Sequence, residues 1–169
     1  MDFFENLKEC LAAVQNPNSE VRKNAEMEIR NLRDQDTLKF MATLTRDIAN
    51  EGLAVASRQM ACIIFKNFII NRSKDVKYEN YWISLDSIFK SQIKEAILAT
   101  LASEHSQVRT QVANIISAIA SIEIPRNEWD SLIPNLCVNA EHTVYNVRLA
   151  SLTTLGFICE EIIPESIND

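Results

Sequence analysis

Residues 106–122, Ser106-Gln107-Val108-Arg109-Thr110-Gln111-Val112-Ala113-Asn114-Ile115-Ile116-Ser117-Ala118-Ile119-Ala120-Ser121-Ile122, decide how this chain folds. Val108, Val112, Ile115, Ile119 and Ile122 return every three or four positions, the period of a helix that buries one face. The opening of the stretch, Gln107-Val108-Arg109-x-x-Val112, has three counterparts: Glu20-Val21-Arg22-x-x-Ala25, Ser57-Arg58-x-x-Ala61 and Asn146-Val147-Arg148-x-x-Ser151. The four arginines stand 36, 51 and 39 residues apart. That suits stacked helix-pair units of the HEAT or armadillo kind, about 40–47 residues each, with extra residues in the third. The small residue at the end of the signature lets neighbouring helices approach, and its arginine is expected to make a polar contact between repeats.

Working outward, every other segment reads as helix. Phe3, Phe4, Leu7, Cys10, Leu11 and Val14 mark one face of a first helix, broken by Asn16-Pro17-Asn18. Ser19 is the expected N-cap of the second, with Glu20 favourably placed in its first turn; Val21, Ala25, Ile29 and Leu32 give its face. Leu38, Met41, Leu44 and Ile48 mark a third helix closing near Gly52. A fourth, over about 54–72, is apolar almost all round and is expected to be covered on both sides. After the polar stretch from Arg72 to Asn80, Phe89, Ile93, Ala96, Ile97 and Leu101 make a fifth, and residues 106–122 the sixth, ended by Pro125. Trp129, Leu132, Ile133, Leu136 and Cys137 make a seventh containing Pro134, and Val147, Leu155, Ile158 and Ile162 an eighth, ended before Pro164. No strand-type alternation competes. The expected fold is all-α, an α–α superhelix of about four helix pairs, near residues 1–33, 36–72, 79–123 and 127–163. The first helix, with Asp2, Glu5, Lys8 and Glu9 opposite its apolar face, suits the polar cap such stacks need. The last residues, Glu165 to Asp169, stand where another repeat would begin, so a longer array is expected.

Composition removes several function classes. Gly52 and Gly156 are the only glycines among 169 residues, so neither a G-x-G-x-x-G fingerprint nor a P-loop can be built. A net charge of −6 argues against nucleic-acid binding, which rests on Lys and Arg neutralising phosphates, and leaves room for a basic protein partner. The longest apolar run, Met60 to Phe65, is far short of the roughly 18 residues of a membrane span, and no basic region opens a secretory signal. Cys10, Cys62, Cys137 and Cys159 form no C-x-x-C pair and are expected as buried, reduced thiols. His105 and His142 each follow a glutamate in a turn, without a metal-ligand set around them. Glu160 and Glu161 are adjacent and point apart on a helix, unlike a catalytic pair. No catalytic residue, metal or cofactor is expected.

Two segments carry a family resemblance. Residues 57–68, Ser57-Arg58-Gln59-Met60-Ala61-Cys62-Ile63-Ile64-Phe65-Lys66-Asn67-Phe68, followed downstream by Tyr81-Trp82-Ile83, resemble the N-terminal signature of the importin-β (karyopherin-β) family. Its members share the Arg-x-x-Ala…Lys-Asn helix, the later Trp and the long spacer. Residues 122–136, from Ile122 through Pro125, Trp129 and Pro134 to Leu136, together with Thr154 to Pro164, are similar to the importin-β branch. Transportins and exportins match them less well. The resemblance implies a nuclear import receptor moving between cytoplasm and nucleus through the pore. Such a receptor binds cargo directly or through importin-α, meets FG nucleoporins, and releases cargo when the small GTPase Ran arrives with GTP; Ran with GDP binds far more weakly. It also implies that the first repeats touch Ran from the concave side, and that cargo sites lie beyond these residues. The alternative is a structural HEAT scaffold, such as a phosphatase scaffold subunit, or another karyopherin.

In such solenoids the second helices line the concave face, so candidate contacts are polar residues there that do not serve the core. Lys66 and Asn67 are the only charged or amide side chains between Gln59 and Ile70. An ammonium is costly to bury in so apolar a helix. Lys66 therefore reaches an open face, either to meet a partner or as a snorkelling side chain. Asn67 reads more simply as a bond to a neighbouring repeat. The resemblance supports Lys66 and Lys74 as Ran contacts. Asn114, Ser117 and Ser121, at i, i+3 and i+7, form a polar stripe that either accepts a partner or is solvated.

Overall fold

The computed structural model describes residues 2–72 and 74–162. Among them are nine α-helices and no strand: α1 (Phe3–Ala13), α2 (Ser19–Gln35), α3 (Thr37–Ala49), α4 (Val55–Ile69), α5 (Tyr81–Ser84), α6 (Ser87–Ala99), α7 (Ser106–Glu123), α8 (Leu132–Asn139) and α9 (Tyr145–Glu161). Short 3-10 turns occupy Val76–Tyr78, Thr100–Ala102 and Ile124–Arg126. The helices pair as α1/α2, α3/α4, α6/α7 and α8/α9, and the pairs stack through α3 on α6, α4 on α7 and α7 on α9. The short α5 lies within the spacer. The expected helix stop at Pro164 and the proposed next-repeat start at Glu165 lie outside the described residues.

Short polar side chains start the helices. Asn18 Oδ1 accepts from the Glu20 amide at 2.9 Å, so Asn18, rather than the expected Ser19, is the N-cap of α2. Asp36 caps α3 through the Lys39 amide, and Asp86 caps α6 through the amides of Ile88 and Phe89. The seventh helix starts at Leu132, after Trp129, and places Pro134 in its first turn, where a missing N–H removes no helical bond.

One apolar core runs the length of the stack, from Phe3, Leu7 and Leu11 through Phe40, Leu44, Phe65 and Ile97 to Ile115, Ile119, Leu136 and Ile158. The helix covered on both sides is α7, which holds Val108, Val112, Ala113, Ile115, Ile116, Ser117, Ala118, Ile119 and Ala120 all buried. Its alanines and Ser117 let α4 and α9 come close. The expectation that α4 is covered all round is corrected: Ile63 and Ile70 are exposed, and Ile64 and Phe68 only half-buried. The reason is that α2 packs on α1 and α3 rather than along α4, which leaves one flank of α4 open.

The four signature arginines share a task. Arg22 donates to the carbonyls of Asn16 and Pro17, Arg109 to those of Ser103 and Glu104, and Arg148 to those of His142 and Thr143. Each thus ties down the turn inside its own pair. Among the described residues, two reach the next pair as well: Arg58 donates to Ser103 Oγ at 3.3 Å and Arg109 to Asn146 Oδ1 at 3.4 Å. Arg58 is the extreme case, 0% exposed, with Nε on the Ile48 carbonyl and both terminal nitrogens on Glu51. The cysteines divide. Cys10 and Cys62 are buried, and burial pushes the Cys62 thiol up to about 12. Cys137 and Cys159 are exposed, contrary to expectation, on α8 and α9. Neighbouring Val138, Leu149 and Leu152 of these helices are likewise left uncovered by any described element.

Candidate functional site

The C-terminal halves of α2, α4 and α7 and the spacer after α4 gather most of the candidate contacts. Lys66, half-buried on α4, donates from Nζ to Asn114 Oδ1 on α7 at 3.3 Å, while the Asn114 amide donates to the Thr110 carbonyl. Two candidates far apart in sequence therefore meet across the seam between the second and third pairs. Lys74 and Ser121 also come together. They line a cleft of about 590 Å³ with Ile70, Trp82, Ile122 and Arg126. Lys74 is exposed and sits in the left-handed region at φ 53°, after Asn71 at φ 45°, so the spacer leaves α4 through two tight bends. Ser121 Oγ donates to the Ala118 carbonyl.

Asn67 faces elsewhere. It lines a second cleft, of about 330 Å³, between α2 and α4, with Ile29, Phe40, Ile64 and Phe68. Its amide makes no side-chain hydrogen bond among the described residues, so the expected bond to a neighbouring repeat is not made. Ser117 is 1% exposed and donates to the Asn114 carbonyl. The expected Asn114–Ser117–Ser121 stripe is thereby corrected: Ser117 turns into the crowded α7 interior, where a small side chain permits close packing, and only its two neighbours are half-open.

Sequence reasoning missed two groups. The first is the cations beside these clefts: Arg30, Arg33 and Arg72 at one, and Arg126 at the other. Nothing in the periodicity of α2 signalled that it parts from α4. The second is a polar knot under the spacer. Glu123 is 0% exposed; its Oε1 accepts from Trp82 Nε1 at 3.0 Å and its Oε2 from Lys94 Nζ at 2.7 Å. Lys90 lies 3.7 Å from the same carboxylate and 2.9 Å from Glu128, and Lys94 Nζ stands 4.8 Å over the Trp129 ring. Lys90 holds the Glu128 carboxyl below its ordinary value. This knot fixes the spacer's Trp82 against the end of α7, and with it the wall of the larger cleft. The signal was present: a buried indole N–H requires an acceptor, and Glu123 stands between Ile122 and Ile124.

The geometry is that of a helical repeat stack presenting an edge of cations and amides, a binding scaffold in architecture. Residues 25–117 match the importin-β N-terminal domain family, and the chain belongs to that family. It is 33% identical over 161 residues to importin subunit beta-1 of Arabidopsis thaliana, covering 94% of this chain and 18% of the relative. To importin subunit beta-1 of Schizosaccharomyces pombe it is 32% identical, covering 96% of this chain and 19% of the relative. A crystal structure of importin beta superposes with a TM-score of 0.85 at 31% identity, over 92% of this chain and 18% of the solved one. Kap95p, in a structure described as binding RanGDP and inducing its switch loops to adopt the GTP-bound conformation, superposes with a TM-score of 0.82 at 28% identity, over 95% and 19%. The chain thus spans about a fifth of the length of these proteins.

Proposed function

We propose that these repeats are the GTPase-contacting end of a nuclear import receptor, binding Ran in its GTP form along the edge of the second helices to drive cargo release. The observation that carries the reading is Lys66. It lies within the segment matched to the family, in the Lys66-Asn67 pair that resembles the family signature, and instead of being lost in the core it reaches the α4–α7 seam, half-exposed. Lys74 supplies a second cation from the spacer, and Asn67, Asn114 and Ser121 supply polar groups around them. Importin-α or cargo, and FG nucleoporins, are partners of the whole receptor rather than of this edge, and its stations are cytoplasm, nucleus and pore. The relative described with RanGDP refines how nucleotide is sensed. If binding itself can place the switch loops in the GTP-bound form, the GDP state is disfavoured by the free energy of that rearrangement rather than by a clash.

Reversing Lys66→Asp or Lys74→Asp is expected to weaken Ran-GTP binding at least several-fold in calorimetry, with circular dichroism unchanged. Unaltered affinity in both variants would remove the assignment.

A further inference from the structure

The two clefts on this edge meet. Asn71 lines both, so the opening between α2 and α4 and the opening beside α5 and the end of α7 adjoin at the end of α4. Its charge opposes that of the chain. Across 169 residues acidic groups outnumber basic ones by 23 to 17, yet Arg30, Arg33 and Arg72 line the first cleft with no carboxylate, and Lys74 and Arg126 line the second with Glu79 alone. Arg33 is already engaged, by Asp34 at 2.8 Å, Asp75 at 3.5 Å and the Tyr78 ring. Arg30, Arg72 and Lys74 make no ion pair among the described residues and are exposed. Beneath the arginines the floor of the first cleft is apolar, built from Ile29, Phe40, Ile64 and Phe68, and the half-buried Asn67 amide lies beside it.

An apolar floor ringed by unpaired cations suits one occupant: an extended acidic polypeptide segment with a bulky apolar side chain. We propose that the partner contacts this face through such a segment. Its apolar side chain seats between α2 and α4, its carboxylates lie against Arg30 and Arg72, and its continuation passes Asn71 toward Lys74 and Arg126. Guanidinium groups at the rim match carboxylates in fork geometry, and burial of the apolar side chain supplies the part of the affinity that salt does not screen. The inference rests on the reading of this edge as the partner-contacting face and adds the chemistry that the face takes.

The probe is a fluorescein-labelled Asp-Asp-Glu-Phe-Glu-Asp-Asp peptide, followed by anisotropy with this chain. Saturable binding is expected. It should weaken roughly tenfold when the Phe is replaced by Ser, and at least about tenfold in the Arg30→Glu/Arg72→Glu double variant. Both arginines are surface groups, and circular dichroism checks that the fold is kept. Equal binding to the double variant overturns the proposal. So does absence of binding, or equal binding of a peptide with Lys at every acidic position, of inorganic phosphate or of a short oligonucleotide. Ran-GTP titrated in parallel separates the two claims. If Ran-GTP binds and the peptide does not, only the acidic-segment inference falls; if the peptide binds as stated and Ran-GTP does not, only the GTPase reading falls.

Discussion

The joint between the first and second helix pairs and the joint between the second and third are built from the same repeat and end differently. In the second joint α4 and α7 pack along each other, and polar groups of the seam pair internally: Lys66 with Asn114, and Arg58 with Ser103. In the first, α2 leans on α3, leaving an apolar cleft whose rim cations Arg30 and Arg72 have no ionic partner among the described residues. The spacer closes this joint at one end only, where Tyr78 Oη donates to Asp34 at 2.6 Å and Arg33 meets Asp75. The packed seam joins polar groups of successive pairs to one another, whereas the parted one leaves rim cations exposed beside an apolar cleft.

The largest expected effect breaks the packed joint. Arg58→Ala strands the Ile48 carbonyl and opens a hole between two pairs, and should cost about 3–5 kcal/mol. The equivalent Arg22→Ala, on an exposed turn, should cost at most about 1 kcal/mol. Urea titration of both variants measures the gap, and similar losses would mean that the signature arginine does the same work in every pair. Next comes Glu123→Gln. It keeps an acceptor for Trp82 but removes the charge that holds Lys90 and Lys94, for about 1–3 kcal/mol, with a red-shifted Trp82 emission if the spacer loosens. Smaller still is the Lys66–Asn114 contact. A double-mutant cycle with alanine at each position should give a coupling of about 0.5–1 kcal/mol, and no coupling would show that Lys66 is only snorkelling past Asn114.

The smallest effect is the pH response. The Arg58 hydrogen bond, against burial, holds the Glu51 carboxyl below its ordinary value. At Asp34 burial pushes upward and is outweighed by hydrogen bonds from Arg33 and Tyr78, so that carboxyl is also lowered. A carboxylate with a depressed folded pKa stabilises above its unfolded value, near pH 4, and loses that contribution as pH falls through the folded value. Thermal stability should therefore be level from about pH 7 to 5 and fall below about pH 4. Arg58→Ala should show a shallower fall, since Glu51 then returns to an ordinary carboxylate.

Most of the fold was legible because helical periodicity and the Val-Arg-x-x-small opening are local signals. Leu7, Leu44, Ile115 and Ile158 could be placed on inner faces from spacing alone. What spacing cannot carry is the angle at which one pair meets the next. The parting of α2 from α4, and with it the placement of Arg30 and Arg72 beside a cleft, depends on that angle, as does the burial of Ser117. Of the site candidates, Lys66 was readable as a charge in an apolar helix; Glu123 obeys the same argument and was missed because it sits at a helix end beside Pro125. The exposed Cys137 and Cys159 were misread because their helices carry apolar residues all round, and periodicity does not say which face is covered.

The central claim is that this edge reads the nucleotide state of a GTPase. Biolayer interferometry of the immobilised chain against Ran, loaded with a non-hydrolysable GTP analogue or with GDP, tests it most directly. The account predicts saturable binding of the GTP-like form, at least about tenfold tighter than the GDP form because the latter must first rearrange its switch loops. Equal affinity for the two forms, or no binding of either, would contradict it.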